Sequence, residues 1–145
     1  MTATNYLEQI VKTERLIKNK LIEIEKWRTI AEGTSANVMG ERVQTSVAYH
    51  KMEDAIIKMH EVEEKTAQEL AHYKEMMREM IATIEKLDTQ SYDLLHKMYV
   101  QGRQLKDIKQ TYGISWKSIE RRKEKALKDL QAILDERAKN EEVSS

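Results

Sequence analysis

The sequence predicts an all-α protein in which a long coiled-coil helical hairpin precedes a C-terminal domain of three shorter helices. Three observations support this prediction. The chain of 145 residues contains no proline, the strongest helix breaker, and only four glycines. Charged residues make up 34% of it. Leucine, isoleucine and methionine recur at helical spacing over most of its length, and this spacing is lost around the glycines, which therefore mark the connections.

The first predicted helix covers residues 4–32, with Thr4 or Asn5 as its N-cap. At ~1.5 Å per residue such a helix is roughly 40 Å long, so it needs a partner helix along its length. Its apolar residues recur every seven positions, as in helices that pack side by side. They are Ile10, Ile17, Ile24 and Ala31, with Leu7, Leu21 and Trp27 beside them.

A connecting loop is predicted for residues 33–46, because glycine, serine, threonine and asparagine replace the apolar repeat there. The segment contains Glu41, Arg42 and Gln44 but no glycine pattern of the kind that holds a phosphate. We therefore predict a structured linker and not a ligand site.

The longest predicted helix covers residues 47–87, and its apolar seam alternates steps of four and three residues, as in a coiled coil. Glu63 and Thr66 interrupt this seam at mid-length. Two explanations stay open: these polar residues fix the register or oligomeric state, or Val62 and Ala67 replace them through a small phase shift. The predicted seam is Met52, Ile56, Met59, Glu63, Thr66, Leu70, Tyr73, Met77, Met80, Ile84 and Leu87.

Residues 1–87 are therefore predicted to form an antiparallel hairpin that oligomerises. The second helix, at ~60 Å, is longer than the first. Its distal half, Leu70 to Leu87, is expected to extend past the hairpin and to pack against a second subunit or against the C-terminal domain. A homodimer is the expected assembly.

Three helices separated by Gly102 and Gly113 are predicted for residues 88–134, and a flexible charged tail for residues 135–145. Gly113 provides the positive φ that a sharp turn between two helices requires, and Ser115 follows as an N-cap. This spacing is typical of a helix-turn-helix. The apolar residues of the two motif helices are Leu105, Ile108, Tyr112, Ile114, Ile119, Ala126, Leu127 and Leu130.

The same region is strongly basic although the whole chain is neutral. Between His96 and Lys128, ten Lys or Arg residues face three acidic ones, a net charge of +7. Such a face attracts phosphates, and the first turns of the second motif helix are the part that enters a major groove. We therefore predict that the chain binds duplex DNA through Ser115, Trp116, Lys117, Ser118, Glu120, Arg121, Arg122, Lys125, Arg103 and Lys106.

Two alternatives stay open for this region. In the first alternative the basic helix is only a solvated surface helix, which the acidic residues Glu120, Glu124 and Asp129 within it favour. Trp116 either is exposed beyond the N-cap or packs back on the first motif helix.

The run from Leu87 to Leu130 resembles region 4 of sigma-70-type factors, the domain that reads the upstream promoter element. This resemblance implies a helix-turn-helix that binds promoter DNA, and contact with RNA polymerase. Lys109 stands where a small alanine is usual, and Trp116-Lys117 where primary sigma factors carry Arg-Glu, so promoter specificity does not transfer. The matching residues are Leu94-Leu95, Tyr99-Val100, Gly102, Leu105, Asp107-Ile108, Gly113-Ile114-Ser115, Ser118-Ile119, Arg122 and Ala126-Leu127-Lys128.

A second resemblance covers residues 27–130. The residues that carry it are Trp27-Arg28, Thr34, Ala36-Asn37, Gly40-Glu41-Arg42-Val43-Gln44, Lys51-Met52, Asp54-Ala55-Ile56, Tyr92-Asp93-Leu94-Leu95-His96-Lys97 and Tyr99-Val100. In these residues the chain is similar to small proteins encoded by phages and prophages of Gram-positive bacteria. This resemblance implies a phage-type transcriptional regulator.

Two other classes of function remain. An accessory protein for DNA packaging, like small terminase subunits, would form a ring of roughly eight or more subunits, whereas an adaptor that docks on RNA polymerase would bind no DNA. We expect no enzyme, cofactor or metal site, since no nucleophile or phosphate-binding motif is present and the four histidines lack i, i+4 spacing. Without cysteine, a leader or a membrane span, the chain is expected to be cytoplasmic in a bacterial host.

Overall fold

A computed structural model describes residues 1–38 and 45–144 of the chain. Over these two ranges the protein is helical and contains no β-strand, so the all-α prediction is confirmed. A π-helical turn, His96–Val100, follows α3 directly. The α-helices are α1 (Ala3–Val38), α2 (Thr45–Ile84), α3 (Thr89–Leu95), α4 (Leu105–Tyr112) and α5 (Trp116–Ser144).

The first two helices are longer than predicted. α1 continues to Val38 and α2 begins at Thr45, so the predicted loop of residues 33–46 is wrong at both ends. A single glycine costs a helix only about 1 kcal/mol, which a helix of this length tolerates at Gly33. The remainder of that loop, including Glu41, Arg42 and Gln44, lies outside the described residues.

The predicted N-cap of α1 also needs correction. The backbone N–H of Asn5 donates to Thr2 Oγ1 at 3.1 Å, so the capping hydroxyl comes from Thr2 and not from Thr4 or Asn5. At the other end, α2 stops at Ile84, three residues before the predicted end, where the N–H groups of residues 86 and 87 close a tight turn. Thr2 therefore caps the start of α1, and the backbone turn after Ile84 ends α2.

Contacts divide the chain into two compact units. One unit, which we call the hairpin unit, is Thr13–Tyr73, and the other, the C-terminal unit, comprises Met1–Lys12 and Lys74–Ser145. The predicted boundary between residues 87 and 88 lies inside the C-terminal unit. The sequence gives no sign of this division, because each long helix continues through it without a break in helical spacing.

In the hairpin unit, α1 and α2 run in opposite directions. Arg28 Nη2 lies 3.9 Å from Glu63 Oε1. Burial, and then the charge of Glu14, raises the pKa of Tyr73. Glu14 comes before Arg28 on α1, whereas Tyr73 comes after Glu63 on α2. The residues that are buried here are Ile17, Ile24 and Ala31 on α1 with Ala55, Val62 and Thr66 on α2.

The buried face of α2 is rotated from the predicted seam in this unit. Ile56 and Leu70 are 41% and 40% exposed, whereas Ala55 and Val62 are buried. Of the two replacements considered for the polar interruption, Val62 is correct and Ala67, which is exposed, is wrong. Thr66 remains buried because its hydroxyl donates to the carbonyl of Val62 at 2.6 Å. The sequence did not determine which face of α2 is buried, because apolar residues in adjacent rows fit the same 3.5-residue repeat.

In the C-terminal unit, the distal part of α2 is buried within the chain itself. Met80, Thr83 and Ile84 have no exposed surface, so of the two partners predicted for this segment the C-terminal domain is the one observed. The N-terminal turns of α1 take part, since Leu7 and Ile10 are also buried. The backbone N–H of Ala3 donates to Gln131 Oε1 at 2.7 Å, and the Tyr6 and Thr83 hydroxyls lie 3.3 Å apart.

The predicted flexible tail is helical. α5 continues to Ser144, and within residues 135–144 the Arg137 guanidinium contacts α2. Its Nη2 donates to Thr83 Oγ1 at 2.5 Å, and its Nη1 lies 3.3 Å from Glu79 Oε1. These partners lie more than 50 positions earlier in the chain, so local composition could not reveal them.

Candidate nucleic-acid interface

Three helices surround a small apolar core in the C-terminal unit. Leu94 of α3, Ile108 of α4 and Ile119 of α5 have no exposed surface and pack together. Met98, Leu105, Tyr112 and Ile114 cover this core. Most of these residues belong to the predicted apolar stripes, and Ala126 and Leu130 farther along α5 are buried as well. The apolar periodicity of this region therefore predicted its packing correctly.

The turn between α4 and α5 has the predicted geometry. Gly113 adopts φ 65° and ψ 37°, the left-handed conformation, and the N–H of Ile114 donates to the Lys109 carbonyl at 3.3 Å. Ser115 then caps α5, because its Oγ accepts the N–H of Ser118 at 3.2 Å. The chain thus reverses within three residues, which sets where the first turn of α5 points.

The outward side of α5 carries three of the predicted DNA-binding residues. Lys117, Glu120 and Arg121 are exposed, and so is Lys106 at the start of α4. Lys117, Arg121 and Lys106 make no ion pair with the part of the chain that the structure describes. Lys117 and Arg121 are four residues apart, so they lie on one side of the helix, one turn from each other.

Trp116 combines the two arrangements that the sequence left open, since it is partly exposed and also contacts the first motif helix. Its side chain remains 48% exposed, while Lys109 Nζ of α4 lies 5.5 Å from the centre of its ring. This is the geometry of a cation–π contact across the turn. An exposed indole face therefore adjoins Lys117 at the beginning of α5.

Several predicted site residues are instead engaged within the chain. Arg103 Nη2 donates to Thr111 Oγ1 at 2.5 Å, and the Ser118 hydroxyl accepts a hydrogen bond from the Ser115 hydroxyl at 3.1 Å. Lys125 Nζ lies 2.9 Å from Asp88 Oδ1 and 3.1 Å from Asp129 Oδ2. The Lys125–Asp88 pair joins α5 to the start of α3, and the other contacts are local. All of these groups already have partners, so the outward face is smaller than the sequence suggested.

Arg122 lies apart from the exposed residues of the predicted site. It is half-buried, and its guanidinium carbon lies 5.3 Å from the centre of the Tyr112 ring. The reason is helical phase: Arg122 comes three residues after the buried Ile119, so it faces inward across the turn. Its place is the packing between α4 and α5, not the outward face.

Tyr112 is part of a polar cluster that the sequence analysis did not identify. Its hydroxyl donates to Asp93 Oδ2, and Lys97 Nζ lies 2.7 Å from Asp93 Oδ1 and 5.6 Å from the Tyr112 ring centre. Hydrogen bonds from Lys97 and Tyr112 hold the pKa of Asp93 below its ordinary value. Burial, with a further effect from Asp93, raises the pKa of Tyr112 to about 12.

This cluster ties α3 to α4 directly behind the turn. Asp93 and Tyr112 are 19 residues apart, a separation that corresponds to no local pattern. Asp93 and Lys97 stand at local i, i+4 spacing, but only the packed structure could bring Tyr112 to this pair.

No known protein family, curated protein or solved structure matches this chain. The resemblances to sigma region 4 and to phage proteins therefore stay predictions that rest on the residues quoted for them. Among the described helices none is both long and apolar enough to cross a membrane. Within residues 1–38 and 45–144 no group of three His, Asp or Glu side chains is placed to hold a metal ion.

The Asp93 cluster predicts a specific loss of stability in acid. Because the folded-state pKa of Asp93 lies below its unfolded value of 3.8, its contribution is present above about pH 4 and is lost as the pH falls through the folded value. Asp93→Asn should therefore flatten the decline of the melting temperature below about pH 4. Melting curves between pH 2 and 6 measure this. The matched control, Asp54→Asn at an exposed position of α2, should keep the wild-type decline.

Proposed function

We propose that this protein is a sequence-specific duplex DNA-binding regulator of transcription, of the phage or prophage type. One observation carries the proposal: a short turn at Gly113 is followed by a capped helix whose first turns expose Lys117, Arg121 and the face of Trp116. A helix that begins in this way, with cations on its outward side, suits insertion into a major groove. The two sequence resemblances support the same function.

The proposed roles follow from position and chemistry. Arg121, one turn into the helix, offers the two-donor geometry that matches the O6 and N7 atoms of guanine. Lys117, at the start of the helix, and Lys106, on α4, flank it and suit contacts with phosphates, which position the protein without reading sequence. Glu120 can accept a hydrogen bond from a cytosine amino group. Arg122 has no part in this arrangement because it packs on Tyr112.

A regulator of this kind gains affinity and selectivity when two copies read two half-sites, so a homodimer belongs to the proposal. Contact with RNA polymerase is implied by the resemblance to sigma region 4 alone.

The test measures binding to duplexes selected from pooled phage-genomic DNA, over a titration of salt. Lys117→Ala/Arg121→Ala should weaken binding to the selected duplex by at least about tenfold, since each base or phosphate contact contributes about 1–3 kcal/mol. The slope of log affinity against log salt should become shallower by about 1 for each phosphate contact removed. Selection repeated with the variant should yield a weaker sequence preference.

Lys51→Ala/Lys65→Ala is the matched control, because it removes the same charge from exposed positions of α2 in the hairpin unit. It should bind within about twofold of the wild type if attraction to the whole protein is a minor effect. Equal losses in the two variants would contradict base reading by α5. An absence of binding at low salt would favour the polymerase adaptor, and a ring of eight or more subunits would favour the packaging protein.

A further inference from the structure

One side of α2 in the hairpin unit carries large side chains that stay exposed within the part of the chain that the structure describes. Tyr49, Ile56, Glu63 and Leu70 recur every seven residues, so they form a row along a single side of the helix. Tyr49 is 60% exposed, Ile56 41% and Leu70 40%. Two members of the row adjoin the buried face of α2, since Ile56 follows the buried Ala55 and Glu63 follows the buried Val62.

α1 extends this row into a two-helix face. Arg28 lies beside Glu63 at 3.9 Å, and because the two helices run in opposite directions, seven residues back along α1 corresponds to seven residues forward along α2. Leu21 therefore lies beside Leu70. It is 54% exposed. We call the surface formed by Leu21, Arg28, Ile56, Glu63 and Leu70 the paired face.

The centre of the paired face carries one charge of each sign, on Arg28 and Glu63, whose side chains are 45% and 39% exposed. Arg28 Nη1 also lies 3.0 Å from Glu25 Oε2, and His60 Nδ1 lies 3.6 Å from Glu63 Oε2. A guanidinium has five N–H donors and a carboxylate about four acceptor sites, so Arg28 and Glu63 both keep capacity for a further partner. Leu21 comes seven residues before Arg28, and Leu70 comes seven residues after Glu63, so both lie on the same side of this pair. Ile56 comes seven residues before Glu63, on the opposite side. Exposed aliphatic side chains that line up along two helices mark an interaction surface.

We propose that a second copy of this chain docks on the paired face, related to the first by a two-fold axis parallel to the helices. Such an axis places α1 of one copy over α2 of the other at the same level. Arg28 then faces Glu63 of the partner subunit, and Leu21 faces Leu70 of the partner subunit. A two-fold interface requires a surface that complements itself, and this face does so through the opposite charges of Arg28 and Glu63 and the exposed side chains of Leu21 and Leu70.

A two-fold axis that crosses the helices at the level of this ion pair fails the same test, because it sets Arg28 against Arg28 of the partner subunit. The central ion pair therefore selects one arrangement, as polar residues do in the seams of other helical assemblies. The distal part of α2 is not needed, since Met80 and Ile84 are already buried within one chain. This inference does not depend on the proposed DNA binding.

The first experiment determines the mass of the full chain by sedimentation. The wild type should have twice the chain mass of 17.1 kDa. Leu21→Glu/Leu70→Glu should raise the dissociation constant of the dimer by at least about a hundredfold, because it places like charges against each other. Circular dichroism should show unchanged helix content. The matched control, Leu16→Glu/Ile30→Glu, changes similarly exposed residues of α1 outside the paired face and should remain dimeric.

The second experiment uses the absence of cysteine from the chain. L21C and L70C proteins, each made separately and then mixed, should form a mixed disulfide under oxidation, because only the proposed axis brings these two positions together across the interface. Each protein alone should crosslink far less. Efficient crosslinking of L21C with itself would overturn the proposed axis. A monomeric wild type, or a dimer that survives Leu21→Glu/Leu70→Glu, would overturn the paired face.

Discussion

Ile119→Ala should lower the free energy of unfolding by about 2–5 kcal/mol, the range for truncating a fully buried isoleucine. Ile119 packs against Leu94 and Ile108, all three with no exposed surface, so the substitution removes the contact at which α3, α4 and α5 meet. Few other atoms are available to fill the resulting cavity, because the core of these three helices is small. A loss of this size is a large part of the stability of a typical domain.

Chemical denaturation followed by circular dichroism, at one fixed protein concentration, measures this effect. Ile57→Ala is the control, since Ile57 is 56% exposed and its truncation should change stability by less than about 0.5 kcal/mol. Equal effects of the two substitutions would contradict the assignment of Ile119 to the core. The loss of DNA binding in Ile119→Ala should follow the loss of folded protein.

Gly113→Val should destabilise the protein by about 1–2 kcal/mol or more, and Gly113→Ala by somewhat less. The cause is the backbone alone: at φ 65° an L side chain is strained, while a Cβ added at this position would meet no atom within 4 Å. A β-branched residue is the least tolerant of this conformation. Gly113→Asn serves as the control, because asparagine adopts the left-handed region more readily.

The expected order of stability is wild type, then asparagine, alanine and valine. Denaturation of the four proteins tests it, and equal stabilities would show that the turn does not need positive φ. The same series tests function without changing charge. If α5 reads DNA, affinity for the selected duplex should follow the same order, because the turn sets where Lys117 and Arg121 point.

Several features of the C-terminal helices were predicted from the sequence alone. Positive φ at Gly113 and the N-cap at Ser115 were both predicted, because each is a local requirement that few residue types meet. Burial of Ile108, Ile119, Ala126 and Leu130 followed from helical spacing.

The inward orientation of Arg122 was not predicted from the sequence. Composition makes it one more cation of a basic helix, and only its contact with Tyr112 shows that it faces inward. The ion pairs of Lys125 and the Asp93 cluster were missed for a similar reason. Lys125 meets Asp88 and Tyr112 meets Asp93 only because the helices pack together, whereas the pairs Lys125–Asp129 and Asp93–Lys97 have local i, i+4 spacing.

For the long helices α1 and α2, too, the sequence predicted some features and not others. Their helical character, and the 3.5-residue repeat that pairs them, were determined by the sequence. The phase of the buried face was not, because Ile56 and Leu70 are as apolar as Ala55 and Val62, and the repeat fits both sets.

Local chemistry thus determined the secondary structure, the turn and the apolar stripes, since each depends on neighbours within about one or two helical turns. Only the tertiary structure decided which of two adjacent rows became core, which cations of α5 stay in solvent, and that the last residues continue α5 as a helix anchored by Arg137. Those outcomes depend on contacts between segments far apart in the chain, whose free energy no local pattern records.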